Sequence, residues 1–298
     1  MYMKRQIGKP NRAIWMVLLT LILVILIIAV VYLVNARLNT HTKERFSQDQ
    51  ELLIYTIVTE ADNENLKKLK MSLVNMAEIP LADLNVLVSK DPVGYQKGHG
   101  AKITLLYEAL RKLENPETLV MLVDGYDVLF CAPKREILDK YRVIVSENPG
   151  KNIVFGAEMY CWPDKDLDLK YEEVIYKGAA VGPYKYLNSG TIIGPAGDIV
   201  KLIEPMINKV TAITDDQRFY TTTLLEDNAT KIILDTQCRL FQCLASEMKS
   251  HMIWDAKEMR WFNSVTQSFP CLMHGNGDAK DFLFKDVYKA LNLHLAVM

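Results

Sequence analysis

The chain has 298 residues and carries 35 Lys and Arg against 36 Asp and Glu, enough length for one large domain beyond any targeting segment. Its formal net charge is −1, and because residues 1–12 hold four basic residues and no acid, the remainder stands at −5. A mildly acidic body lacks the basic footprint of nucleic-acid binding, so no nucleic-acid partner is expected.

Residues 13–34, AIWMVLLTLILVILIIAVVYLV, contain no charge and a single Thr. A helix of that length spans the roughly 30 Å hydrocarbon core of a bilayer, and Trp15 and Tyr32 sit near its ends, where aromatic rings favour the interface. A cleaved signal peptide is the competing reading. The apolar run is too long for a usual signal core, and Val34-Asn35-Ala36 is a poor cleavage site. The segment therefore reads as a retained signal-anchor. Lys4, Arg5, Lys9 and Arg12 precede it, against Arg37, Lys43 and Arg45 after it, which favours a cytoplasmic tail 1–12 and a type II orientation. Residues 35–50 read as a polar stem, and 51–298 as one folded domain.

That domain opens on an apolar, β-branched run that predicts a buried strand over 52–58. A helix over 63–76 follows, then a strand at LNVLV, the loop SKDPVGYQKGHGAK and a helix over 103–113. The run TLVMLV predicts a strand leading into Asp124 and Asp127. A helix over 134–146 and a strand at NIVFGAE complete a β-α-β alternation, which argues for an α/β fold with a mainly parallel sheet in this half. Thr59, Asp124 and Glu158 then fall at carboxyl ends of strands, where such sheets collect ligands. Beyond them come a short strand TIIG, a helix over 197–210, a helix starting at TDDQRFYTTTLLE and a C-terminal amphipathic helix. The five cysteines have no zinc spacing. Cys238 and Cys243 could bridge, with two buried thiols an equal alternative.

Three stretches can carry chemistry. In VMLVDGYDVLF the carboxylates of Asp124 and Asp127 are suited to a hard divalent ion, and Tyr126 between them offers a flat ring. A solvated acidic turn explains the segment equally well. In CLMHGNGDAK, His274 could add a nitrogen ligand, which suits manganese better than magnesium or calcium. The turn Gly275-Asn276-Gly277 with Lys280 could cradle phosphate. A histidine hydrogen-bonded at a strand end is the plainer account. Glu158, Trp162, Asn188, Asp215 and Asp216 supply the carboxylates, amide and aromatic plate that a sugar site wants. Each of them also has an ordinary structural explanation.

In chain order, LVDGYDV, AEMYCWP, YLNSGTIIG, DDQRFYT, RLFQCL and HGNGDAK resemble the glycosyltransferase domain of the procollagen lysyl hydroxylase (PLOD) family. They are more loosely similar to the collagen galactosyltransferases. The resemblance, over roughly residues 52–280, implies a GT-A-type fold, with a Rossmann-like nucleotide-binding half and a mixed central sheet, that uses a UDP-sugar and usually manganese. It implies Asp124, Asp127 and His274 as metal ligands, Tyr126 stacked on uracil, Thr59 as a uridine contact, and Lys102 and Lys280 as donor-site lysines. Trp162, Asn188, Asp215 and Asp216 fall in its sugar and acceptor pocket. The expected reaction is transfer of a hexose from UDP-glucose or UDP-galactose to a hydroxyl acceptor, hydroxylysine or galactosyl-hydroxylysine of a collagen-like protein among them, in the ER or Golgi lumen. Self-association into a homodimer is kept open. The alternative is a silent, membrane-tethered glycan- or collagen-binding module. Departures from the family pattern are Thr104-Leu105-Leu106 where relatives show a tryptophan, a shortened loop before Lys102 and a shorter acidic run at Asp215. The iron-dependent hydroxylase half is not represented, so lysine hydroxylation is not expected of these residues.

Overall fold

The structure is a computed structural model. It describes residues 50–92, 97–226 and 231–291, together with Leu23, Leu26, Ile27, Ala29 and Val30, which are helical. Most of the expected anchor 13–34, the tail, most of the stem and the last seven residues of the C-terminal helix lie outside the described residues. Among those described, no helix is long and apolar enough to cross a membrane. Residues Glu51–Met298 form one compact unit, distinct from Met1–Gln50, and the architecture below is that of the larger unit.

The first strand, β1 (Leu52–Val58), is LLIYTIV and buried almost throughout. Helix α1 (Glu64–Asn75) follows, with Asn63 as N-cap: its side chain accepts from the Asn65 amide, a bond the helix start would otherwise lack. Leu66, Leu69 and Leu73 recur at helical spacing and are fully buried. Strand β2 (Leu84–Val88) pairs parallel with β1, and β3 (Leu119–Val123) pairs parallel on β1's other side. Helix α2 (Gly100–Leu110) crosses between them. It begins three residues earlier than expected, because His99, in the left-handed region at φ 66, turns the chain into it.

After β4 (Val128–Phe130), α3 (Lys134–Glu147) and β5 (Ile153–Glu158) comes β6 (Tyr186–Pro195), a ten-residue strand where only TIIG was expected. Strand β6 lies between β3 and β5 and runs antiparallel to both. With β7 (Ile232–Leu234) the sheet has the order β2-β1-β3-β6-β5-β7. The strands of the first half, β1, β2, β3 and β5, all run parallel as expected, and the antiparallel β6 makes the whole sheet mixed. The helix expected over 197–210 is α-helical only over α4 (Ala196–Ile203) and tightens to a 3-10 helix over Glu204–Lys209, where Pro205 denies the interior a backbone donor. Helix α5 (Asp216–Glu226) packs back on β6.

A second sheet has the order β4-β11-β8, built from β8 (Phe241–Cys243) and β11 (Leu272–His274). Between them a separate hairpin pairs β9 (Met252–Asp255) with β10 (Arg260–Asn263). The four residues 124–127 therefore connect the two sheets. The C-terminal run is helical over Lys280–Phe282, Leu283–Val287 and Tyr288–Ala290, and Leu283 and Val287 pack on Leu129 and Met273. All five cysteines are free and buried, so the Cys238–Cys243 bridge left open above is not formed.

The N-terminal turn of α4 is tied to the sheet edge by Asp198, which accepts from Asn152 Nδ2 at 2.6 Å and Lys231 Nζ at 2.8 Å. Burial alone would raise this carboxyl, but those two donors hold it below its ordinary value of 3.8. A depressed folded value contributes stability that is present above the unfolded pKa and lost as pH falls through the folded one. Asp198→Asn is therefore expected to flatten the acid limb of the stability–pH curve below about pH 4, measured by urea unfolding between pH 3 and 6.

Candidate active site

The turn between the sheets carries both acids. Asp124 leaves β3 with its amide bonded to Gly190 O at 2.9 Å, and Asp127 enters β4 with its carbonyl accepting from the Gly275 amide at 2.7 Å. Gly125 does not adopt a left-handed conformation. Its place is set by packing, since a Cβ there would stand 2.4 Å from Val58 Cγ1. Strand β11 lies antiparallel to β4, with His274 opposite Val128, and parallel to β8, with His274 beside Cys243. This delivers the imidazole to the two carboxylates. His274 Nε2 is 3.5 Å from Asp124 Oδ2 and 3.6 Å from Asp127 Oδ1.

Positive charge converges on the same pair. Lys102, on the first turn of α2 and only 7% exposed, places Nζ 2.5 Å from Asp124 Oδ1 and 3.3 Å from Asp216 Oδ2. Lys280 Nζ reaches Asp127 Oδ2 at 3.2 Å. Burial alone would raise the Asp124 carboxyl, but the Lys102 charge and His274 hold it well below the usual range. Burial opposes the charge on His274, and the two carboxylates it faces, Asp124 and Asp127, outweigh that and raise its pKa well above the ordinary value. Among the described residues, Asp124, Asp127 and His274 form the one cluster able to hold a metal, their ligand atoms all within 4.8 Å of one another.

These residues fit a hard or borderline divalent ion. The donor set is one imidazole nitrogen and two carboxylates. The Nε2 distances are too long for good hydrogen bonds, and cis ligands about 2.1 Å from a common octahedral centre stand about 3 Å apart. Lys102 and Lys280 already pair with the outer carboxylate oxygens of Asp124 and Asp127.

Beside the cluster lies a buried polar network. Gln217, on the first turn of α5, donates to Glu158 Oε1 at 2.7 Å and to Trp162 O at 3.0 Å. Asn188 Nδ2 donates to Glu158 Oε1 at 3.2 Å, and Asn276 Nδ2 to Glu158 Oε2 at 3.0 Å. Burial pushes the Glu158 carboxyl up despite these donors. The two acids at the start of α5 divide their roles. Asp215 Oδ1 accepts from the Arg218 amide at 2.8 Å, a helix cap, whereas Asp216 is 5% exposed and also accepts from Ser189 Oγ at 3.1 Å. A bidentate Arg218–Asp164 pair, 2.6 and 2.8 Å, ties α5 to the loop after β5. That loop presents Trp162, 59% exposed, beside the cis Trp162-Pro163 peptide.

The metal-type cluster and the polar network open on one cleft of about 910 Å³. Lys102, Asp124, Asp127 and His274 line it together with Glu158, Trp162, Asn188, Asp215 and Asp216, and Asn276, Gly277 and Lys280 also lie along it. Thr59, Tyr126 and Gly275 are not in its lining. Thr59 and Tyr126 meet beyond the end of β1, where the Tyr126 hydroxyl accepts from the Thr59 amide at 2.8 Å and the Glu60 amide at 2.7 Å. Gly275 uses its amide on Asp127, so it acts on the turn that carries the acids. Sequence reasoning passed over Gln217, Ser189 and Gly190. The signal for Gln217 was available: it follows two acids in a helix's first turn, where side chains face the adjoining strand ends.

A family model described as the PLOD GT domain matches residues 48–286. The chain belongs to this glycosyltransferase family. Protein R699 of Acanthamoeba polyphaga mimivirus is 37% identical over 191 residues, 63% of this chain and 37% of that protein. The Caenorhabditis elegans protein named multifunctional procollagen lysine hydroxylase and glycosyltransferase is 29% identical over 240 residues, 78% of this chain and 31% of that one. The chain thus spans about a third of the length of these relatives. Among solved structures, the apo form of mouse xyloside xylosyltransferase 1 superposes with a TM-score of 0.44 at 15% identity, covering 77% of this chain and 98% of that one.

Proposed function

We propose that this PLOD-family domain is a GT-A-type, metal-dependent hexosyltransferase that moves glucose or galactose from a UDP-sugar to a hydroxyl acceptor, with hydroxylysine or galactosyl-hydroxylysine of a collagen-like protein as the first acceptors to test. The observation that carries the reading is the convergence of Asp124, Asp127 and His274 within 4.8 Å on the cleft that also holds the sugar-type residues. A divalent cation such as manganese, held by those three residues, would supply Lewis-acid stabilisation of the charge on the departing diphosphate.

The chain's own residues do the rest. Lys102, fixed between Asp124 and Asp216, and Lys280 at the mouth offer ammonium groups to phosphate oxygens. Tyr126 offers its ring to the base at the end of β1. Trp162 offers an exposed face to the apolar side of a pyranose, and Glu158, held by three amides, a carboxylate to its hydroxyls. In the transfer, the bond from the anomeric carbon to the diphosphate oxygen breaks and its electron pair leaves with UDP. The acceptor oxygen bonds to that carbon, and its proton passes to a cleft carboxylate, Asp215 or Asp216. Residues 13–34 fit a signal-anchor holding the domain in the ER or Golgi lumen, where UDP-sugars are supplied.

The test is a turnover screen of UDP-glucose, UDP-galactose and UDP-N-acetylglucosamine with the full chain and manganese, with hydroxylysine peptides, galactosyl-hydroxylysine peptides and water as acceptors. Manganese-dependent release of UDP from a hexose donor is expected, abolished by a chelator. Acceptor binding with no donor turned over under any metal would contradict the reading and leave the silent binding module.

A further inference from the structure

Asn188 is one of the sugar-pocket candidates, yet its side chain has nothing left to offer a sugar. Its Oδ1 accepts from the Gly190 amide and contacts His274 Nδ1, both at 3.0 Å. Its Nδ2 donates to Glu158 Oε1 at 3.2 Å and to Gln217 Oε1 at 3.3 Å. Two acceptor positions and two hydrogens exhaust a carboxamide. A backbone amide can only donate, so the Gly190 N–H fixes which end of the Asn188 amide is oxygen. An oxygen facing His274 requires that Nδ1 carry a hydrogen. The lone pair available to a cation is then on Nε2, the nitrogen that faces Asp124 and Asp127.

Local backbone geometry produces this placement. Between Phe155↔Ile192 and Gly156↔Asn188 the β5–β6 register shifts, and Ser189, Gly190 and Thr191 bulge out of that pairing. Bulges of this kind re-aim side chains beside active sites. The bulge lies between Asp124, bonded to Gly190 O, and the His274 ring, which stands where a Gly190 Cβ would come within 2.2 Å of Cε1.

We infer that Asn188 is a positioning residue: it holds His274 as the Nδ1–H tautomer with Nε2 aimed at the metal site, and so couples metal affinity to the Glu158–Gln217 network. The inference rests on the metal reading proposed above. It is tested by manganese titration of the full chain, followed by the electron paramagnetic resonance of free ion, for wild type, Asn188→Ala and Asn188→Asp. Asn188→Ala is expected to weaken manganese binding about 10- to 100-fold, the usual effect of losing a histidine's outer partner. Asn188→Asp keeps the acceptor toward His274 while exchanging the donor for a charge beside Glu158, and is expected to retain most of the wild-type affinity. A purely structural role would shift unfolding in both variants without this split. Nitrogen NMR of the magnesium-loaded wild type reads the tautomer with no variant needed, and the hydrogen is expected on Nδ1. A hydrogen on Nε2, or Asn188→Ala binding manganese as wild type does, overturns the inference and leaves the metal site standing. Wild type that binds no divalent ion overturns both.

Discussion

Asp127→Ala is expected to raise the dissociation constant for manganese about 100-fold or more and to lower UDP-hexose turnover by on the order of 10³. The carboxylate is one of the three proposed ligands, and its removal leaves Lys280 without its partner and His274 with a single acid. Folding should survive. The Asp127 backbone carbonyl, not its side chain, ties the turn to Gly275, so the unfolding midpoint is expected to move by a few degrees at most, about the scale of 1 kcal/mol in a domain this size. Metal titration and turnover, beside a melting curve, separate the two effects. A variant that binds manganese and turns over donor as wild type does would remove Asp127 from the site.

Gly190→Ala is expected to be as damaging without removing any ligand. An added methyl would meet His274 Cε1 at 2.2 Å and both ring nitrogens at 2.8 Å. The ring is 3% exposed, bonded on one side to Asn188 and facing two acids on the other, so it cannot turn away without losing a partner. Overpacking of this kind costs about 1–3 kcal/mol, and the displaced Nε2 should weaken manganese binding about 100-fold. Gly182→Ala is the control, because a methyl there meets nothing within 4 Å and neither quantity should change. Urea unfolding and metal titration on both variants read the result. Wild-type metal affinity in Gly190→Ala would mean that the bulge is not packed on the histidine.

The early elements were legible because local physics decides them. LLIYTIV and LNVLV are apolar strands bounded by polar turns, and Asn63 announces α1. The sheet order was not legible. Nothing in residues 186–195 signals that this strand lies antiparallel between β3 and β5, since that choice is made by partners distant in sequence. The sequence pattern predicts only four of this strand's ten residues, because Asn188, Ser189 and Gly190 look like loop residues. Asn188 and Ser189 are polar yet buried beside the cleft, and such positions are where local pattern and fold are expected to disagree. The three-residue strands β4, β8 and β11 are too short to show a period, although β11 carries His274. The site's residue types could be read from sequence. The bonds that commit Asn188 to His274 and Asp215 to a helix cap became visible only with the strands in register.

The proposed function stands or falls on whether Asp124, Asp127 and His274 hold a divalent cation at the end of β3. Anomalous diffraction at the manganese edge, from crystals of the chain grown with manganese and UDP, addresses it without reference to turnover. One strong peak is expected within about 2.3 Å of His274 Nε2 and of an oxygen from each aspartate, with the diphosphate on its open side. A peak seated elsewhere, or bound UDP with no peak at these residues, would contradict it.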